Sequence, residues 1–107
     1  MQIRLERIFV YLSAGQLRSL LTAVAGHVGS FGPGAVDRFC STLAASDPAE
    51  RIAEHIVTID GEAMPFIMEA WESEGGITEL VFLVPRRLGD LIHAECASLG
   101  VDVRLLS

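Results

Sequence analysis

Between Ile56 and Val84 short apolar runs alternate with turn residues, and no other segment constrains the fold so tightly. Ile56–Ile59, a turn at Asp60-Gly61, Ala63–Trp71, a turn over Glu72–Gly76 and Ile77–Val84 predict a three-stranded antiparallel meander. Glycine supplies the positive φ of tight hairpin turns, and β-branched and aromatic residues suit a pleated surface. Side chains alternate along a strand. Met64, Phe66, Met68 and Ala70 therefore share one face of the second strand, and Ile67, Glu69 and Trp71 share the other. In the third, Leu80, Phe82 and Val84 oppose Ile77, Glu79, Val81 and Leu83. Apolar on both faces, this strand is expected at the centre of a sheet.

The same segment carries the charge imbalance. From Ile52 to Pro85 there are seven acids (Glu54, Asp60, Glu62, Glu69, Glu72, Glu74, Glu79) and neither Lys nor Arg. Residues 1–51 hold five Arg against four acids, and residues 86–107 hold three against three, so the net charge of −6 comes from the middle third. Phosphate backbones demand clustered cations, so nucleic acid is not an expected partner. An acidic third suits a basic partner, or a solvated face that keeps an apolar chain dispersed.

Residue types that are missing exclude whole mechanisms. The chain has no Lys and no Asn. A Schiff base, a Walker A loop and a Ser–Lys dyad each require lysine, and N-glycosylation requires asparagine. No G-x-S-x-G elbow and no H-E-x-x-H helix motif occurs.

Around the meander, Ile8–Leu12 reads as a strand. Ser13 and Gln16 form a capping box that starts a helix with Leu17, Leu20, Leu21, Val24 and Val28 on one face. Gly29–Gly34 breaks it, and a second helix follows with Val36, Phe39, Cys40 and Leu43 on one side. Asp47-Pro48-Ala49-Glu50 is a helix start, predicting a short third helix to about His55. Pro85 closes the meander, Arg86–Leu99 forms a last helix ended by Gly100, and Val101–Leu106 is a final strand, a β-α-β reading. The expectation is a single α+β domain over residues 1–107. It has a mixed sheet of about five strands, covered by three N-terminal helices and one C-terminal helix. This order of elements, with the size, the acidity and the Val101–Ser107 ending, resembles the barstar type of inhibitor. That family's aromatic and acidic binding segment has no counterpart here.

Ser19–Val36, the longest uncharged run, is interrupted by Gly26, Gly29, Gly32, Pro33 and Gly34, which a membrane span does not tolerate so densely. Met1–Ala14 has the outline of a signal peptide, but Glu6 sits among its arginines and its apolar stretch is short. With two cysteines and no stapled framework, Cys40 and Cys96 are expected as reduced thiols in a cytoplasmic protein.

Each candidate site has a plain alternative. The cluster Gly26–Gly34 could cradle a phosphate, but it follows a helix rather than a strand, so a helix stop and connector is expected. His93 and Cys96 have metal-ligand spacing without a recognisable third ligand, so no metal and no cofactor is expected. Glu95 falls within the apolar stripe of the last helix, where burial would make it a candidate general acid; pairing with an arginine or reaching water is the alternative. Arg86 and Arg87 follow a strand and open a helix, a place that suits an anion; solvated arginines are the default reading. Trp71, the only tryptophan, sits among Glu69, Glu72 and Glu74. Covered by helices it is core; uncovered, it has the composition of a hot spot for a basic protein.

The function expected is a non-enzymatic protein-binding module, a small acidic inhibitor, immunity, antitoxin-type or regulatory protein. It would cover a basic partner with Glu62, Glu69, Trp71, Glu72, Glu74 and Glu79. The alternatives are a homo-oligomeric subunit, such as a homodimer, and a small enzyme or anion binder near Arg86, Arg87, His93 and Glu95.

Overall fold

Ser13 does two jobs at the first junction of the chain. It is the last residue of β1 (Leu5–Ser13) and the N-cap of α1 (Ala14–Ala25). Its hydroxyl accepts from the Gln16 amide at 3.2 Å, while the Gln16 side chain accepts from the Ser13 amide at 2.9 Å. This reciprocal box satisfies two amides that a helix start leaves unpaired. In the computed structural model, which describes residues 4–106, α2 (Pro33–Ser41), β2 (Ile52–Ile59), β3 (Glu62–Glu74), β4 (Ile77–Pro85), α3 (Arg86–Ser98) and β5 (Val103–Leu106) follow. Met1–Ile3 and Ser107, the extremities of the signal-like stretch and of the C-terminal ending, lie outside the described residues.

The protein is α+β. One sheet runs in the order β2-β3-β4-β1-β5, with four long strands and the four-residue β5 at one edge. Every neighbouring pair is antiparallel, so the expected mixed sheet is corrected. The β4-α3-β5 connection does join parallel strands, but β1 lies between them, giving a split β-α-β. An α-β ending reads the same whether its strand lands beside β4 or one place further on.

The meander has the order expected, with shorter turns. Asp60 (φ 53°) and Gly61 (φ 80°) form one two-residue loop, and Gly75 (φ 60°) and Gly76 (φ 80°) the other. Two consecutive positive φ angles match the right-handed twist of hairpin strands. Glu72–Glu74, expected in the turn, therefore belong to β3. The third N-terminal helix is also corrected: Pro48–Arg51 makes one 3₁₀ turn, and Ile52–His55 begins β2. Asp47 does cap, its carboxylate accepting from Ala49 at 3.0 Å. Helix cannot continue because β-branched Ile52, Ile56, Val57 and Ile59 bond along β3, and sheet pairing outweighs a start signal with no apolar stripe behind it.

All three helices lie on one face of the sheet. Ile8, Val10 and Leu12 of β1, Met64, Phe66 and Met68 of β3, and Leu80, Phe82 and Val84 of β4 are buried beneath them. Leu17, Leu20, Leu21 and Val24 of α1, Val36 and Phe39 of α2, and Leu88, Ile92 and Cys96 of α3 close the core from the other side. Phe66 sits at its centre, with the rings of Phe31, Phe39 and Phe82 at 5.2, 4.9 and 5.9 Å.

The glycine cluster is a fixed connector. Gly29 and Thr58 exchange both backbone hydrogen bonds, at 2.7 and 3.0 Å, tying the α1–α2 loop to the outer edge of β2. A Cβ on Gly29 would fall 2.2 Å from Thr58 Oγ1, so this close approach requires glycine. Further along that edge, Arg38 donates to the Glu54 carbonyl at 3.0 Å. Both contacts use edge groups that would otherwise be open to another strand.

Candidate interaction face

With the helices all on one side, the alternate residues of each strand form a second sheet face that no helix covers. Register places them in rows. Ile52, Glu69, Val81 and Phe9 make one row across β2, β3, β4 and β1, and Glu54, Ile67, Leu83 and Arg7 the next. Val81 is only 3% exposed although it lies outside the helix-covered core. Its cover comes from its own face, where Phe9 and Trp71 meet edge to face with centroids 5.6 Å apart.

A β-bulge shapes the end of this face nearest the β3–β4 turn. Ala70 pairs with Leu80 and Ser73 with Thr78, leaving Trp71 and Glu72 together opposite Glu79. A bulge re-aims side chains and strengthens local twist. β2 stops at Ile52, and the Arg51 side chain takes over from it: its guanidinium donates to the carbonyls of Ala70 (3.0 Å), Trp71 (2.5 Å) and Ala45 (2.8 Å). The Arg51 guanidinium beside the bulge is thus bonded to backbone carbonyls and not to carboxylates. The Ser73 and Thr78 hydroxyls, 2.7 Å apart, pin the strand pair beyond the bulge.

The result is an aromatic and acidic end. Trp71 is 44% exposed and Tyr11 56%. Tyr11, Glu72, Ser73, Glu74, Ile77 and Glu79 line one groove. Among the residues whose side chains are described, 4–103, no ion pair within 4.0 Å involves Glu69, Glu72, Glu74 or Glu79.

Five of the six residues expected to bind a partner, Glu69, Trp71, Glu72, Glu74 and Glu79, gather here. Glu62 does not. It opens β3 at the opposite end, where Arg87 reaches Asp60 at 2.5 Å and Glu62 at 3.8 Å. Twelve residues of strand, about 40 Å, separate Glu62 from Glu74. Sequence reasoning passed over Phe9, Tyr11, Ile52 and Ile56, all on this face. The signal existed: Phe9 and Tyr11 alternate with Ile8, Val10 and Leu12, so if those face the core these cannot.

The residues named for an anion or enzyme site do not form one group. Arg87 is bound to Asp60 and Glu62 in the first turn of α3, and Arg86 is exposed. Glu95 lies eight residues further, about 12 Å along the helix axis. There its carboxylate, 22% exposed, faces His27 Nε2 at 3.4 Å, so a histidine stands where an arginine or water was the alternative. His93 is half-buried. His55 uses both ring nitrogens: Nδ1 accepts from Arg38 at 2.8 Å, so Nε2 carries the proton and donates to the Ser30 carbonyl.

Among the described residues, no group of three or more His, Cys, Asp and Glu side chains is placed to hold a metal ion. No helix among them is long and apolar enough to cross a membrane. No family model matches the chain, and neither a curated protein nor a solved structure matches it.

Proposed function

We propose that this chain is a non-enzymatic protein-binding module, of the small acidic inhibitor, immunity or antitoxin type, and that it works through the open face of its sheet. The observation that carries the reading is the exposure of Trp71 and Tyr11 among four carboxylates that no arginine within residues 4–103, whose side chains are described, neutralises. Exposed aromatics on a rigid sheet supply contact area at little entropic cost, and the residues that dominate interfaces are enriched in Trp, Tyr and Arg. Unpaired carboxylates around them accelerate encounter with a basic surface and repel acidic ones. Cys40 and Cys96 are free thiols, in keeping with a reducing, cytoplasmic setting.

Capture from the native host lysate at low and high salt tests the reading, with immobilised wild-type chain, Trp71→Ala, and the triple variant Glu72→Gln/Glu74→Gln/Glu79→Gln. The module should capture a partner at low salt that both variants lose. Capture of the same proteins by all three baits would contradict it.

A further inference from the structure

Arg38, in the last turn of α2, reaches across to the free edge of β2 and makes both of its contacts there with one nitrogen. Its Nη2 donates to the Glu54 carbonyl at 3.0 Å and to His55 Nδ1 at 2.8 Å. Thr58 exchanges both backbone hydrogen bonds with Gly29. By the alternation of an antiparallel strand, Ile52, Glu54 and Ile56 therefore also turn their amides and carbonyls to this outer edge. The Gly29 contact closes one end of the edge. The Arg38 guanidinium occupies the place beside Glu54 where the N–H of a further strand would sit.

His55 makes this arrangement depend on a proton. A guanidinium has only donors, so Nδ1 presents its lone pair to Arg38, and the one ring proton sits on Nε2, which donates to the Ser30 carbonyl. A second proton can go only onto Nδ1. There it would point at Nη2 and set imidazolium against guanidinium. Arg38 is exposed and His55 half-buried, so solvent protons reach the pair. The surroundings offer no compensating charge. The α1–α2 loop contributes the Ser30 carbonyl and the Phe31 ring at 5.5 Å, and Phe66 of β3 stands opposite His55 in the register. Arg38 and Glu54 are the charged residues lining the groove beside the ring, and Glu54, next along the strand, directs its side chain to the other face. Among the residues whose side chains are described, 4–103, no ion pair within 4.0 Å involves Arg38, Glu54 or His55.

We infer that His55 is a proton-operated latch on the edge of β2. Neutral, it holds Arg38 on the Glu54 carbonyl and keeps the edge closed. Protonated, it expels Nη2. Because the same nitrogen bonds the carbonyl, both contacts go together, and that part of the edge opens to solvent or to another strand. The Nε2–H bond to Ser30 survives and gains charge assistance, so the Gly29–Thr58 contact stays in place. The switch is confined to the Arg38 side of the edge, and it is independent of the contact surface proposed above.

NMR of the full chain, titrated from about pH 8 to about pH 5.5, where histidine side chains change charge, tests the inference. At the upper end the His55 ring nitrogens should show the tautomer with its proton on Nε2, and the Arg38 guanidinium signals should be displaced from those of a free arginine. On acidification the Arg38 signals should move to the free position with the midpoint of His55, and not with those of His27 or His93. The Gly29 and Thr58 amides should keep their protection from exchange throughout. His55→Gln supplies an acceptor and a donor that do not titrate, and should hold Arg38 over the whole range. His55→Phe supplies neither, and should release it over the whole range. The wild-type titration stands without either variant. An Nδ1–H tautomer at the upper end, an Arg38 still bound when His55 is protonated, or a His55→Gln chain that releases Arg38 in acid as the wild type does overturns the inference.

Discussion

Phe9 and Trp71 meet edge to face across β4, planes at 90°, and together roof Val81 on the face that no helix covers. The tryptophan is therefore packed on the Phe9 ring and left 44% open to solvent. Trp71→Ala should lower stability by about 1–2 kcal/mol, since an aromatic pair and partial burial are lost. Phe66→Ala in the closed core should cost about 3–5 kcal/mol. Urea unfolding of both variants measures the difference, and equal losses would mean that Trp71 is a core residue.

Arg51 holds the bulge through three carbonyls. Arg51→Ala strands acceptors on Ala45, Ala70 and Trp71, and the expected loss is about 2–3 kcal/mol, with Ala70 and Trp71 partly open to water. Amide hydrogen exchange should rise in β3 beyond Ala70 more than in the remainder of the sheet. Uniform acceleration would contradict a local clamp.

Gly29 and Thr58 are a matched pair. Gly29→Ala places a methyl group 2.2 Å from Thr58 Oγ1 and should cost about 1–2 kcal/mol. Thr58→Ala removes that atom, so the double variant should recover most of the loss in a double-mutant cycle. Strictly additive losses would show that strain lies elsewhere in the loop.

The fully buried Cys96 sets a pH limit on stability. Burial, with Glu95 adding to it, pushes its thiol up to about 11 from 9.0. Below pH 9 both folded and unfolded chains keep the proton, so the contribution is whole. As pH rises from about 9 to 11 the unfolded chain ionises first and that stability is lost, by roughly 2–3 kcal/mol for two pH units. Denaturant midpoints of wild type and Cys96→Ala should converge over this window. Parallel curves would contradict it.

The parts of the fold that local chemistry decides were legible in the sequence. The Ser13–Gln16 box, the alternation of Met64, Phe66, Met68 and Ala70, and the turn at Asp60-Gly61 need only neighbours along the chain, and each stands where it was expected. What was misread depends on distant partners. Asp47-Pro48-Ala49-Glu50 is a sound helix start, yet β3 claims Ile52 onward as its edge partner. The bulge at Trp71 and Glu72 leaves no mark in composition, and it separates a turn of two glycines from the longer turn expected. Glu62 was grouped with the other acids by proximity in sequence, although a long strand carries it to the far end, beside Arg87. The acidic end itself was visible because Glu72, Glu74 and Glu79 flank a single turn between two successive strands.

The most direct test of the open face as a contact surface is the emission of Trp71, the only tryptophan, in the free and associated protein. Burial of the face predicts a blue shift and protection from acrylamide quenching on association, both abolished at high salt along with binding. An associated protein whose Trp71 emission and quenching match those of the free chain would contradict the account.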